Sequence, residues 1–242
     1  MTQSVRDLEN TFARAWRLLL GNWVIIIPGV VLGLVGGAVG FLIALAFNAV
    51  VITGNGSAEV AYVTQAIVTV VLTLVGMLIA ILQMAYVTGM AGAAWKHGRT
   101  SLADGWYAFS HRSIQTTFAI VLLFVIGICA AALAPVTFQI TLIAYVVFFI
   151  YTLASVIIGG REATAALAES CRLALANFMP TLGVVALIAL IAVAGSWIGS
   201  LLGRVTPFGG GLVAGVLQQV IVAYASLVIA GEYLKLSKQP TA

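Results

Sequence analysis

Charge is what this sequence has least of. Among 242 residues there are seven acidic and eleven basic side chains, 7% charged in all against 62% hydrophobic, with a mean hydropathy of +1.16. Soluble domains keep roughly a quarter of their residues charged, so water is excluded as the main solvent. Histidine and cysteine are scarce too, at two each. His97 and His111 stand without the clustered carboxylates that a metal centre or acid–base chemistry needs. Cys129 and Cys171 fall at different membrane depths in the reading below, which ordinary disulfide geometry cannot bridge. The chain lacks a phosphate-cradling glycine loop followed by lysine, an HExxH and a GxSxG. No catalytic residue, cofactor or metal is therefore assigned, and the chain reads as a non-enzyme.

What it has in abundance is long apolar runs. A hydrocarbon core about 30 Å thick asks for about 20 apolar residues per helix, and six runs meet that length: residues 23–47, 61–95, 114–134, 138–159, 181–202 and 212–234. The second exceeds a perpendicular crossing, so it tilts or runs past the membrane surface before Lys96. Pro135 marks a tight return between the third and fourth. The first run spans 25 residues behind a 22-residue charged segment, whereas a signal h-region has about 7 to 15 near the N-terminus. It is expected to stay in the mature protein despite the cleavage-like Ala44 and Ala46. The expected fold is an all-α integral membrane protein, a single polytopic domain over residues 1–242.

Ten of the eleven cations, Arg6, Arg14, Arg17, Lys96, Arg99, Arg112, Arg161, Arg172, Lys235 and Lys238, fall on one side of such a bundle, leaving Arg204 opposite. Lysine and arginine collect in short cytoplasmic loops, which puts both termini in the cytoplasm and the chain in the cell membrane. The net charge of +4 then reflects contact with anionic lipid headgroups. Nucleic acid is discarded as a partner, because no basic face is interleaved with exposed aromatics. Membrane lipids remain, with a membrane-protein partner or a second copy of the chain left open.

The segments preceding the crossings repeat. Arg6-Asp7, Arg17-Leu18, Leu20, Asn22 and Trp23 recur 155 residues later as Arg161-Glu162, Arg172-Leu173, Leu175, Asn177 and Phe178. A weaker copy sets Leu102-Ala103-Asp104 65 residues before Leu167-Ala168-Glu169. The implied unit is one amphipathic interfacial helix followed by two crossings, used three times, over about residues 4–95, 100–160 and 161–238. Val5, Leu8, Phe12, Trp16 and Leu19 share one helical face while Arg6, Asp7, Asn10, Arg14 and Arg17 occupy the rest. Ser4 with Asp7 and Ser101 with Asp104 have capping-box spacing and predict helix starts near both serines. Such helices serve as anchors at the interface or as a docking surface.

Small residues inside crossings predict helix contacts, since lipid gives no hydrophobic drive between helices. The candidates are Gly29, Gly33 and Gly37 in the first crossing and Gly195, Gly199 and Gly203 in the fifth. Gly215, Gln219, Ala223, Ser226 and Ala230 form a stripe on the last that should face protein. Candidate intramembrane polar positions are Gln218, Gln219 and Glu232. The last is expected to snorkel at the cytoplasmic end and pair with Lys235. A polar cavity beside Gln218 or Glu232 would favour transport, and a dry bundle would favour scaffolding.

The run Arg161-Glu162, Glu169-Ser170-Cys171-Arg172-Leu173 and Asn177-Phe178 resembles a stretch in the membrane domains that accompany bacterial glycerophosphodiester phosphodiesterases. It also resembles their stand-alone relatives, the YciC-like inner-membrane proteins. That resemblance implies a whole-chain membrane fold in the inner membrane. It does not imply phosphodiesterase activity, because the catalytic domain is missing. The reading is a non-enzymatic multi-pass protein of the cell envelope that organises lipid or a partner. The alternative is a small transporter or lipid translocase, and an intramembrane enzyme is a third.

Overall fold

A computed structural model describes residues 2–53, 58–205 and 209–238, and all regular structure among them is helical. Helix α1 covers Thr2–Gly21, and a single 3-10 turn at Trp23–Ile26 leads into α2, Ile27–Thr53. Then follow α3 (Ala58–His97), α4 (Leu102–His111), α5 (Ser113–Leu133), α6 (Ile140–Phe149), α7 (Thr152–Ile157), α8 (Ala163–Ala176), α9 (Phe178–Val205) and α10 (Gly209–Leu236). Six stretches are long and apolar enough to cross a membrane, with α6 and α7 jointly forming the fourth, Ile140–Ile157. The order is thus one shorter helix followed by two crossings, three times over.

Helix α3 shows why one run is longer than a crossing requires. Its 40 residues extend about 60 Å, twice the hydrocarbon thickness. Its last third carries α1, α4 and α10. Trp95 donates its indole N–H to the Leu227 carbonyl at 2.7 Å, and the Arg14 guanidinium sits 4.6 Å from the centre of the Trp95 ring. The ring lies where a Cβ at Gly231 would be. On the other flank, Gly89 and Gly105 let α4 approach until the Tyr86 hydroxyl donates to the Leu102 carbonyl at 2.6 Å. Ala15 of α1, Ile25, Met90 and Ala94 of α3, Val184 of α9 and Leu227 of α10 make the buried centre. Trp16, placed by periodicity on the same face as Leu19, is instead half-exposed and meets Tyr224 edge-on, because Thr11, Ala15 and Leu19 point inward.

Each shorter helix hands over to its crossing through one residue of similar backbone conformation. These are Asn22 (φ −136°, ψ 53°), Arg112 (−126°, 33°) and Asn177 (−126°, 46°). The side chains there do related work. Asn22 Nδ2 donates to the Leu18 carbonyl at 2.9 Å, and Asn177 Nδ2 does the same to Leu173 at 3.2 Å. Asn22 also reaches Gly98 O at 3.1 Å and accepts from the Thr100 N–H at 2.8 Å. Arg112 donates to Gly160 O, with Gln115 accepting from the Ala163 N–H at 3.0 Å. Gly98 and Gly160 hold φ of 75° and 73°, the left-handed exit that glycine gives to a helix end.

Both helix starts fall near their serines. Helix α1 begins at Thr2, so Ser4 lies within its first turn; the side chains of Ser4 and Asp7 lie outside the described residues. Ser101 does cap α4, its hydroxyl accepting from the Asp104 N–H while the Asp104 carboxylate accepts from the Ser101 N–H at 2.7 Å. Those bonds, first the backbone one and then the hydroxyl, hold the Asp104 carboxyl below its ordinary value. Because the folded pKa is depressed, the contribution is complete above the ordinary carboxylate range and fades as pH falls through the folded value. Asp104→Asn should cost about 1 kcal/mol at pH 7. Thermal unfolding in detergent should show the gap to wild type closing below about pH 4.

Candidate functional site

The fourth crossing is broken where its sequence gives no warning. Helix α6 ends at Phe149 and α7 begins at Thr152, with Tyr151 at φ −92°, ψ −3°. No proline or glycine stands there. The cause is across the interface: the fully buried Ser170 of α8 accepts from the Tyr151 N–H at 3.1 Å and donates to the Phe148 carbonyl at 2.7 Å. A side chain inserted into the helical hydrogen-bond ladder is a recognised origin of kinks. Here it also keeps two backbone groups satisfied where water is scarce.

Polar groups gather around this seam. Ser155 of α7 donates to the Glu169 carboxylate, which Arg161 also approaches at 3.4 Å. The Tyr151 hydroxyl shares a hydrogen bond with Thr181 of α9 at 3.3 Å, and Tyr233 of α10 reaches Ser155. Arg112 packs its guanidinium where a Cβ at Gly160 would lie. Burial pushes the Cys171 thiol up, away from thiolate reactivity. Five of the residues named in the family resemblance thus act structurally: Glu169 and Arg161 pair, Ser170 stitches, Leu173 is core, and Asn177 closes α8.

Glu232 departs from its expected setting. It pairs with Lys235 at 3.9 Å, but it is 1% exposed, so it is enclosed and does not snorkel. Beyond that ion pair its Oε1 has no hydrogen-bond donor. Gln219 is half-buried and its Oε1 accepts a short hydrogen bond from the Gln83 Nε2 of α3, while Gln218 faces outward. A Cβ at Gly29 would strike Gln219 and Gln83, and one at Gly33 would lie 3.3 Å from Gln219, so both glycines make room for that bond.

Gly37 makes no such contact, for open space surrounds it. Steps of four residues drift about 40° each around a 3.6-residue helix. The neighbours that do pack are Gly36 against Ile79 and Gly40 against Leu72. Gly195 abuts Ile221 and Gly199 is buried; the surroundings of Gly203 lie outside the described residues. In the stripe on α10, Ala223, Ser226 and Ala230 are buried, whereas Gly215 faces open space. His97 and His111 are exposed, the latter stacked on Tyr107 at 5.4 Å, and no metal-holding cluster of side chains occurs among the described residues.

Compared with models of known protein families, with curated proteins and with solved structures, the chain matches none. Its seam therefore has to be tested on its own. Ser170→Ala leaves the Tyr151 N–H and the Phe148 C=O without that partner, a loss of about 1–3 kcal/mol. In detergent its melting temperature should fall well below that of an exposed control such as Arg172→Ala. Equal melting would show that the hydroxyl does not hold the break.

Proposed function

We propose that this chain is a non-enzymatic, six-crossing protein of the cell envelope, with both termini cytoplasmic, that organises lipid through three amphipathic helices, α1, α4 and α8, seated among the headgroups. The carrying observation is the side-chain belt around these helices and the crossings they start. Trp16, Trp23, Trp106 and Tyr107 are half to two-thirds exposed there, with Leu20, Leu175 and Met179 beside them. Arg17, Lys96, Arg99 and Arg172 are exposed at the same end. Aromatic rings at headgroup depth and cations facing anionic lipid are the usual means of seating a helix at an interface. At the far ends of the crossings, Tyr62, Phe138 and Trp197 are exposed in turn and complete a second belt.

A threefold repeat would fit the same reading. The matched conformations at Asn22, Arg112 and Asn177 fall at the offsets of 155 and 65 residues found in sequence. Each junction starts a crossing, so three copies of one unit would present three similar surface helices to one leaflet. Kinship with the membrane domains of glycerophosphodiester phosphodiesterases and their YciC-like relatives rests on the motif that builds the α8 seam and forms part of this proposal.

The lipid around the protein tests it. In nanodiscs cut directly from the native membrane, anionic phospholipid should be enriched about twofold or more over the bulk membrane, each cation at the surface contributing about 1 kcal/mol. Replacing Arg17, Lys96, Arg99 and Arg172 together with glutamine should return the composition to bulk. Bulk composition around the wild type, or a stoichiometric protein partner retained without lipid enrichment, would overturn the lipid role.

A further inference from the structure

Between α3, α5, α6, α7, α9 and α10 lies a chamber of about 410 Å³. Its walls come from residues well inside the crossings, among them Met84, Leu123, Phe149, Ile188, Ala225 and Ile229. Neither Gln218 nor Glu232 lines it. Two lining residues carry hydroxyls, and both are committed elsewhere: Thr88 donates to the Met84 carbonyl at 2.6 Å, and Tyr145 donates to the Leu123 carbonyl at 3.0 Å. The chamber therefore offers an occupant no free hydroxyl hydrogen, and the two oxygens left as acceptors are fewer partners than buried water usually finds.

Its mouth and its floor have different chemistry. Leu142, Ile143 and Val146 of α6 and Ala189 of α9 line the chamber and are exposed, so it opens sideways between α6 and α9 at the depth of hydrocarbon. The floor is made by Ile150, Ala154, Ile188 and Ile229, which pack with the rings of Tyr151 and Tyr233. Those two buried rings separate the chamber from the Ser155, Glu169 and Arg161 cluster behind them. The space thus opens toward lipid between α6 and α9, and no charged residue lines it.

We infer that the chamber is a binding site for one acyl chain of a glycerophospholipid, inserted between α6 and α9 with its headgroup left outside. A cavity of about 150 Å³ lined by similar side chains holds one benzene ring. By that yardstick 410 Å³ holds about sixteen carbons, the length of a single membrane acyl chain. Saturated or singly unsaturated chains are what the mouth faces when the crossings lie in a bilayer, and the lining demands nothing else of them. This inference rests on the membrane placement proposed above, but not on the charge of the surface helices, so a zwitterionic lipid separates the two.

The test uses the full chain in detergent micelles doped with palmitoyl-oleoyl phosphatidylcholine, stripped by stepwise activation in native mass spectrometry. The wild type should keep one phospholipid after the peripheral ones have gone. Ala189→Trp, which fills the mouth from α9, and Val146→Trp, which fills it from the α6 lip, should each lower that retention by about tenfold. Leu190→Trp, on the outward side of α9, should keep it. Either mouth variant that stays monodisperse with wild-type helicity suffices. A wild type that holds no lipid, plugged variants that hold as much as Leu190→Trp, or preferential uptake of a polyprenyl chain from an equimolar mixture would overturn the proposal.

Discussion

Everything in this structure answers to one constraint: within hydrocarbon, a backbone N–H or C=O must find its partner inside the protein. Continuous helices meet that demand locally, which is why chain segments as apolar as Ile27–Thr53 or Phe178–Val205 form long helices without tertiary help. The constraint is most visible where a helix fails. Between α6 and α7 the hydroxyl of Ser170 takes over at the break, as acceptor from Tyr151 and donor to Phe148. A single oxygen on α8 thereby fixes where the fourth long stretch bends and ties α8 to it.

The same logic organises the helix junctions. A chain passing from a shorter helix to the next long one exposes carbonyls at one end and amides at the next, and these must be closed by side chains. Asn22 closes three such groups, at Leu18, Gly98 and Thr100; Arg112 and Gln115 divide the task at Gly160 and Ala163. The glycines that receive these bonds adopt positive φ, so the turn and its fastening are one device. What looks in sequence like a polar punctuation mark thus fastens the ends of α1 and α4 to the turns at Gly98–Thr100 and Gly160–Ala163.

Much of this was legible beforehand, because span length and hydropathy are local properties. The six crossings emerge within a few residues of where the apolar runs place them, and the Ser101–Asp104 box caps α4 as its spacing predicts. Non-local features were not legible. The kink at Ile150–Tyr151 has its cause twenty residues away on α8, the enclosure of Glu232 depends on helices packed around α10, and Gly37 was misplaced by reading a four-residue step as a straight line. The apolar chamber has no motif at all, since its lining residues are individually ordinary membrane residues drawn from six helices.

These pieces give one account: three shorter helices fastened to six stretches long enough to cross a membrane, with the shorter helices proposed to lie on one face of it. Sidedness tests it most directly. Reporters whose activity depends on compartment, inserted at Gly56 between α2 and α3 and fused after Lys238, should report opposite sides of the membrane, the second cytoplasmic. Reporters on the same side would contradict the six-crossing arrangement and, with it, the placing of α1, α4 and α8 at a single surface.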